Sequence, residues 1–117
     1  MTFVDYPAGK PKIVGYAAKW DVAAPEYHAT QRVFDALPAA ELETLRRVAL
    51  RCWTVFELKG YARVDIRFDS AGTPWVLEIN TNPCLTPDSG FVAAASASGR
   101  SYKQLIDVIT SATQRAF

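Results

Sequence analysis

Asp65, Glu78 and Asn80 are the residues of this 117-residue chain whose types and spacing could do chemistry together. They lie in ARVDIRFDSAGTPWVLEIN, residues 62–80, where Val64, Ile66 and Phe68 alternate with Arg63, Asp65, Arg67 and Asp69. That is the period of a half-buried strand. After the turn SAGT, Trp75, Leu77 and Ile79 alternate with Val76, Glu78 and Asn80, which predicts a second strand and hence a hairpin. If both apolar rows share one face across a turn of Ser70 to Thr73, Val64 opposes Ile79, Ile66 opposes Leu77 and Phe68 opposes Trp75. The other face then pairs Arg63 with Asn80, Asp65 with Glu78 and Arg67 with Val76. Two carboxylates with Cβ atoms ~4.5–5.5 Å apart form a like-charge pair that is destabilising unless something stands between them. A divalent cation answers that need: Mg²⁺ takes one or two carboxylates and shares its remaining positions with waters and substrate phosphates. Asn80 adds a neutral oxygen, and Arg63 a positive charge suited to a phosphate. The same Arg, Asp, Arg, Asp order is also the pattern of a solvated strand face with cross-strand ion pairs.

The elements that must position this hairpin are legible to different degrees. YPAGKPK reads as a loop, and IVGYAAKW as a strand ending near Lys19 and Trp20. DVAAPEYHATQRVFDALPAA gives weak signals, read as an irregular link with a short helix. From Ala40, Leu42, Leu45, Val48, Ala49, Cys52, Val55 and Phe56 recur at helical spacing, with Trp53 near the same stripe. Acidic residues lead and basic ones follow, as the helix dipole prefers. Gly60 closes that region. Beyond the hairpin and the loop TNPCLTPD, Thr86 and Pro87 read as N-cap and first residue of an Ala-rich helix that Gly99 ends. Ser101 with Gln104 fits a capping box for a last helix carrying Tyr102, Leu105, Ile106, Ile109 and Ala112 inward. The expected fold class is α+β, an antiparallel sheet containing the Lys19 strand and the hairpin, packed against helices in one domain over residues 1–117.

Composition narrows the function classes. Half the residues are hydrophobic, 21% are charged and the formal net charge is +1, the mix of a globular protein with no Lys/Arg face for nucleic acid. No segment reaches the ~18 apolar residues of a membrane span, and the N-terminus has no signal-like run. A cytoplasmic setting with no membrane partner is expected. Cys52 and Cys84 fit no zinc pattern and read as two reduced thiols; Cys84 has no basic neighbour and reads as inert packing. His28 has no nucleophile beside it in any motif and reads as a surface residue.

GYARVDIRFDSAGTPWVLEINTNPCLTPDSGF resembles the C-terminal part of ATP-grasp ligases related to D-alanine–D-alanine ligase, in which R-x-D, a turn and L-E-x-N-x-x-P recur. VGYAAKW is similar to the family's strand ending in a Tyr-x-Ala-Lys-aromatic run, and the similarity continues into GRSYKQLID. The resemblance implies an ATP-grasp C-terminal subdomain in which Asp65, Glu78 and Asn80 ligate one or two Mg²⁺ ions, with Mn²⁺ as a substitute. It also implies that Arg63 contacts the transferred phosphoryl group, that Lys19 reaches the terminal phosphates of ATP, and that Ser89 and the Gly90 amide bind a substrate carboxylate. Cys84 falls where the family has a small residue, usually Gly, lining the intermediate; Cys departs from that pattern and bears on whether D-alanine is the substrate.

The implied reaction joins a carboxylate to an amine through an acyl phosphate, with ATP as co-substrate. The family's enzymes are longer, and the substrate domain and ATP lid that precede this region in them have no counterpart in the sequence. The chain is therefore expected to be a C-terminal fragment, inactive alone, with a separately encoded N-terminal half as one partner. It is also expected to form a homo-oligomer through surface near Tyr16, Trp20 and the open sheet edge. The alternative reading is a non-catalytic binding or assembly module derived from the ATP-grasp fold.

Overall fold

The computed structural model describes residues 1–34 and 36–114, and the chain divides into two units, residues 1–36 and 37–117. In the first unit, β1 (Thr2–Phe3) pairs antiparallel with β2 (Thr30–Gln31), Thr2 opposite Gln31 and Phe3 opposite Thr30. Between them run α1 (Tyr16–Trp20) and α2 (Pro25–His28). The segment read as the Lys19 strand is thus α1, and Lys19 belongs to neither two-stranded sheet. The reason is local. Gly15 breaks the chain just ahead of Ala17, Ala18 and Lys19, all good helix formers, and a helix lets Ala18 bury itself while the large rings on either side stay out. Tyr16 and Trp20, four residues apart on one helix face, are 80% and 70% exposed.

Pro25 opens α2 at a position where a missing N–H costs nothing. Glu26, in its first turn, is buried and forms an ion pair with Lys10. His28 is exposed, as expected, with Nε2 2.7 Å from the Val22 carbonyl.

The second unit begins with α3 (Ala39–Val55). Its covered face consists of Leu45, Val48, Ala49 and Cys52, while Leu42, Val55 and Phe56, expected on the same stripe, are 45%, 64% and 63% exposed. Trp53, also read as packing, is exposed as well. The two ends of the stripe stay exposed because the hairpin meets only part of it. β3 (Arg63–Phe68) and β4 (Pro74–Asn80) offer apolar partners only to its middle, where Leu45, Arg46 and Ala49 line an open depression with Val64 and Ile66. Nor does Gly60 end the helix. Phe56 is the C-cap, and Glu57 stands in the left-handed region at φ 49°. The Glu57 N–H donates to the Thr54 carbonyl at 3.2 Å and the Leu58 N–H to that of Trp53 at 3.0 Å, the paired closing bonds of a Schellman ending.

The chain then passes through the hairpin into α4 (Gly90–Ala97) and α5 (Tyr102–Gln114). Gly99, at φ 86°, ends α4 as expected, its N–H on the Ser96 carbonyl and that of Arg100 on Ala95. The capping box also forms: the Ser101 N–H donates to Gln104 Oε1 at 2.8 Å, and the Gln104 N–H to Ser101 Oγ at 3.3 Å. Leu105 is buried, and Ile106, Ile109 and Ala112 are half-buried on the inner side of α5. Helices together with two antiparallel strand pairs, β1–β2 and the β3–β4 hairpin, give the expected α+β class.

Glu57 supplies a test of the α3 ending. A non-glycine residue in the left-handed region costs ~1–2 kcal/mol, offset in part by the extra freedom glycine gives the unfolded chain. Glu57→Gly should therefore raise stability by about 0.5–1 kcal/mol in urea unfolding; a loss of stability would mean that the α3 ending is not as described.

Candidate functional site

Along its open end the hairpin keeps the expected register: Arg63 opposes Asn80, Val64 opposes Ile79 and Asp65 opposes Glu78. Beyond Asp65 the pairing slips by one, so that Ile66 opposes Val76, Arg67 opposes Trp75 and Phe68 opposes Pro74. The pairs expected with Leu77, with Trp75 across from Phe68 and with Val76 across from Arg67 are therefore not made. Leu77 is the extra residue of a β-bulge, which breaks strict alternation and swings the strand. The exchange is visible in burial: Ile79 is half-buried beside Val64, whereas Trp75 and Leu77, expected inside, are 59% and 65% exposed.

The turn accounts for the slip. Five residues, Asp69 to Thr73, separate the last opposed pair, and Asp69 organises all of them. Its Oδ1 accepts the Ala71 and Thr73 N–H groups, each at 2.9 Å, and its Oδ2 accepts the Trp75 indole N–H at 2.9 Å. These bonds, the indole's first, hold the Asp69 carboxyl below its ordinary range. The indole bond also fixes Trp75 on the outer face.

Asp65 and Glu78 do stand across from each other, and what lies between them is Arg63. Its Nε donates to Asp65 Oδ1 at 2.7 Å and its Nη2 to Asp65 Oδ2 at 2.9 Å, a two-pronged contact, while Nη2 stands 3.9 Å from Glu78 Oε1. The Asp65 hydrogen bonds raise the Arg63 guanidinium further above its ordinary range, with Coulombic help from Asp65 and Glu78. Asn80, two residues from Glu78 on the same strand, accepts the Asn82 N–H on its Oδ1 at 2.9 Å and retains a second lone pair. The oxygens of Asp65, Glu78 and Asn80, two anionic and one neutral, suit a hard divalent cation that keeps waters and phosphate oxygens in its shell. Among the described residues no three of His, Cys, Asp and Glu gather, so such a cation would draw on these two carboxylates and the amide. Arg63, Asp65, Glu78 and Asn80 are thus brought together on one hairpin. Lys19 lies in the other unit, exposed on α1.

The loop after β4 is held at several points that sequence reasoning missed. The Tyr61 hydroxyl donates to Asn82 Oδ1 at 3.3 Å, and the Tyr61 ring lies 5.8 Å from that of Phe91. Pro83 is fully buried, and the Tyr102 hydroxyl donates to the Leu85 carbonyl at 3.1 Å. The one available signal was the aromatic residues flanking the motif. Helix α4 starts three residues later than Pro87 implied, because Ser89 is the N-cap, its Oγ accepting the Val92 N–H at 3.4 Å. Thr86 instead accepts the Ser89 N–H on its carbonyl at 2.9 Å. Ser89 and Gly90 therefore sit at a helix N-terminus, where backbone N–H groups favour anions.

Cys84 is exposed, not packed. Its Sγ lies 3.2 Å from Thr86 Oγ1, and the Thr86 hydroxyl followed by the Thr86 backbone N–H lowers the thiol below its ordinary range, against opposing effects of desolvation and Asp88. No basic neighbour is needed for this, because hydrogen bonds to the sulfur favour thiolate. Replacing Thr86 by Val should slow iodoacetamide alkylation of Cys84 near neutral pH and move the midpoint of its pH–rate curve upward. An unchanged curve would show that the hydroxyl does not act on the sulfur.

Residues 6–111 match the family described as "D-ala D-ala ligase C-terminus". A D-alanine–D-alanine ligase of Synechococcus sp. (strain JA-3-3Ab) is 42% identical over 82 residues, 69% of this chain and 25% of that protein. A D-alanine–D-alanine ligase of Albidiferax ferrireducens is 42% identical over 79 residues, 66% of this chain and 23% of that protein. The crystal structure of D-alanine–D-alanine ligase from Bacillus anthracis complexed with ATP superposes with a TM-score of 0.69 at 33% identity, over 77% of this chain and 31% of that one. The chain spans about a quarter to a third of the length of these relatives. The hairpin with Arg63, Asp65, Glu78 and Asn80, the match over residues 6–111 and the superposition agree: the chain belongs to the family of D-alanine–D-alanine ligase C-terminal domains, with the ATP-grasp fold of those ligases.

Proposed function

We propose that residues 1–117 belong to the C-terminal part of an ATP-grasp carboxylate–amine ligase and that the hairpin carries the metal and phosphate part of the active site. The observation that carries this reading is the in-register placement of Asp65 against Glu78, with Arg63 and Asn80 beside them. In that reading Asp65, Glu78 and Asn80 hold Mg²⁺, which when bound neutralises phosphate charge and orients the phosphates of ATP.

The remaining roles are those that the resemblance to the ligases implies. A substrate carboxylate oxygen attacks the γ-phosphorus, the bond to the β,γ-bridging oxygen breaks, and ADP leaves as an acyl phosphate forms. An amine then attacks the acyl carbon, and inorganic phosphate departs. Negative charge spreads over the transferring oxygens in the first step, and the Arg63 guanidinium is the group of the hairpin suited to stabilise it. Lys19 takes the terminal phosphates. The first turn of α4, through Ser89 and the Gly90 amide, takes a substrate carboxylate, and the loop at Cys84 lines the intermediate. No side chain acts as a nucleophile, so the protein's part is positioning and electrostatics.

In the non-catalytic alternative, the same face is a solvated ion-pair surface and the chain is an assembly module. Calorimetric titration with Mg-ATP separates the two. The 117-residue chain should bind Mg-ATP, and the Asp65→Ala, Glu78→Ala double variant should bind at least tenfold more weakly, a loss of about 1.4 kcal/mol. A wild type that binds no better than the variant would overturn the ligase reading.

A further inference from the structure

We propose that Arg63 is an internal cation that competes with the divalent metal for Asp65, so that metal loading and release of the guanidinium toward phosphate are one linked event. The inference rests on the metal site of the proposed function and adds to it a regulation of that site. Its basis is the geometry of the cluster. Arg63 engages both oxygens of Asp65, at 2.7 and 2.9 Å, and approaches Glu78 at 3.9 Å. The carboxylates assigned to the metal are therefore the ones a resident positive charge already serves.

Charge counting gives the consequence. Asp65, Glu78 and Arg63 together carry a net charge of −1, a field that repels the phosphates of a nucleotide. A dication added to them reverses the sign to +1. The same addition weakens the hold of Asp65 on Arg63, since the carboxylate is then shared and the guanidinium stands beside a like charge. A guanidinium loosened in this way keeps its planar, two-pronged donor set, which matches a phosphoryl group as well as it matches a carboxylate. Without metal the cluster is thus closed to anions and Arg63 is occupied; with metal the cluster attracts anions and Arg63 is available. Nucleotide phosphates are then recruited only where the metal is already bound or arrives with them.

The test is Mn²⁺ binding to the full 117-residue chain in the absence of nucleotide, followed by electron paramagnetic resonance, for the wild type, Arg63→Gln, Arg67→Gln and Asp65→Asn. Removing a competing unit charge a few ångströms away should tighten Mn²⁺ binding by Arg63→Gln roughly fivefold or more. Arg67→Gln deletes the same charge two positions along β3 but leaves the Asp65 contacts, and should change affinity less than twofold. In parallel, exchange of the Arg63 Nε–H with water in the wild type should speed up on titration with Mg²⁺ as its bond to Asp65 is released, whereas a guanidinium with a purely structural role would stay on Asp65 and keep its protection. If Arg63→Gln binds Mn²⁺ no more tightly than wild type while Asp65→Asn loses binding, the competition is overturned and the metal site stands. If neither the wild type nor Arg63→Gln binds Mn²⁺, both fall.

Discussion

The constraint on which the site depends is that two carboxylates, Asp65 and Glu78, are placed directly across a two-stranded hairpin. Facing like charges oppose strand pairing, and a hairpin of two strands has little stability to spare. The arrangement persists because Arg63, two residues before Asp65 on the same strand and so on the same face, lies between them with both of its contacts to Asp65 made. Other parts of the second unit support that placement. Helix α3 supports the apolar face through Leu45, Ala49, Val64 and Ile66, Asp69 sets the turn, and the bulge at Leu77 takes up the odd residue without disturbing the three pairs at the open end.

The loop that follows makes the same point about rigidity. On the proposed function the site positions phosphates and a substrate carboxylate, and groups fixed before substrates arrive avoid a reorganisation that would lower the rate. Asn80 accepts the Asn82 N–H, Asn82 accepts the Tyr61 hydroxyl, Pro83 is enclosed, and Tyr102 holds the Leu85 carbonyl. Neighbouring elements thus hold Asn82, Pro83 and Leu85 between the end of β4 and the start of α4. Within that run Cys84 stays exposed and Ser89, half-buried, caps a helix.

The hairpin was legible in the sequence because period-two alternation and the pairing of opposed residues are local properties. Arg63, Asp65, Glu78 and Asn80 could therefore be set together from spacing alone. Past Asp65 the same logic failed, since a bulge leaves no mark in an alternating pattern, and Trp75 and Leu77 were assigned to the wrong face. The turn that causes the slip depends on Asp69 binding an indole six residues away, a tertiary choice that alternation does not encode. The Lys19 segment was misread for a different reason: IVGYAAKW alternates loosely enough to pass for a strand, yet Gly15 and the Ala-Ala-Lys run favour a turn of helix. Caps built from neighbours were readable where one residue type dominates, as at Ser101 and Gln104. They were not where Thr86 and Ser89 compete for the same role.

The most direct test of the central claim is anomalous scattering from crystals of the chain grown with Mn²⁺ and ATP. The account requires a peak between the carboxylates of Asp65 and Glu78, within coordinating distance of both, with the Arg63 guanidinium turned from Asp65 toward a phosphate. A peak elsewhere on the chain, or phosphates bound while Arg63 still holds both oxygens of Asp65, would contradict it.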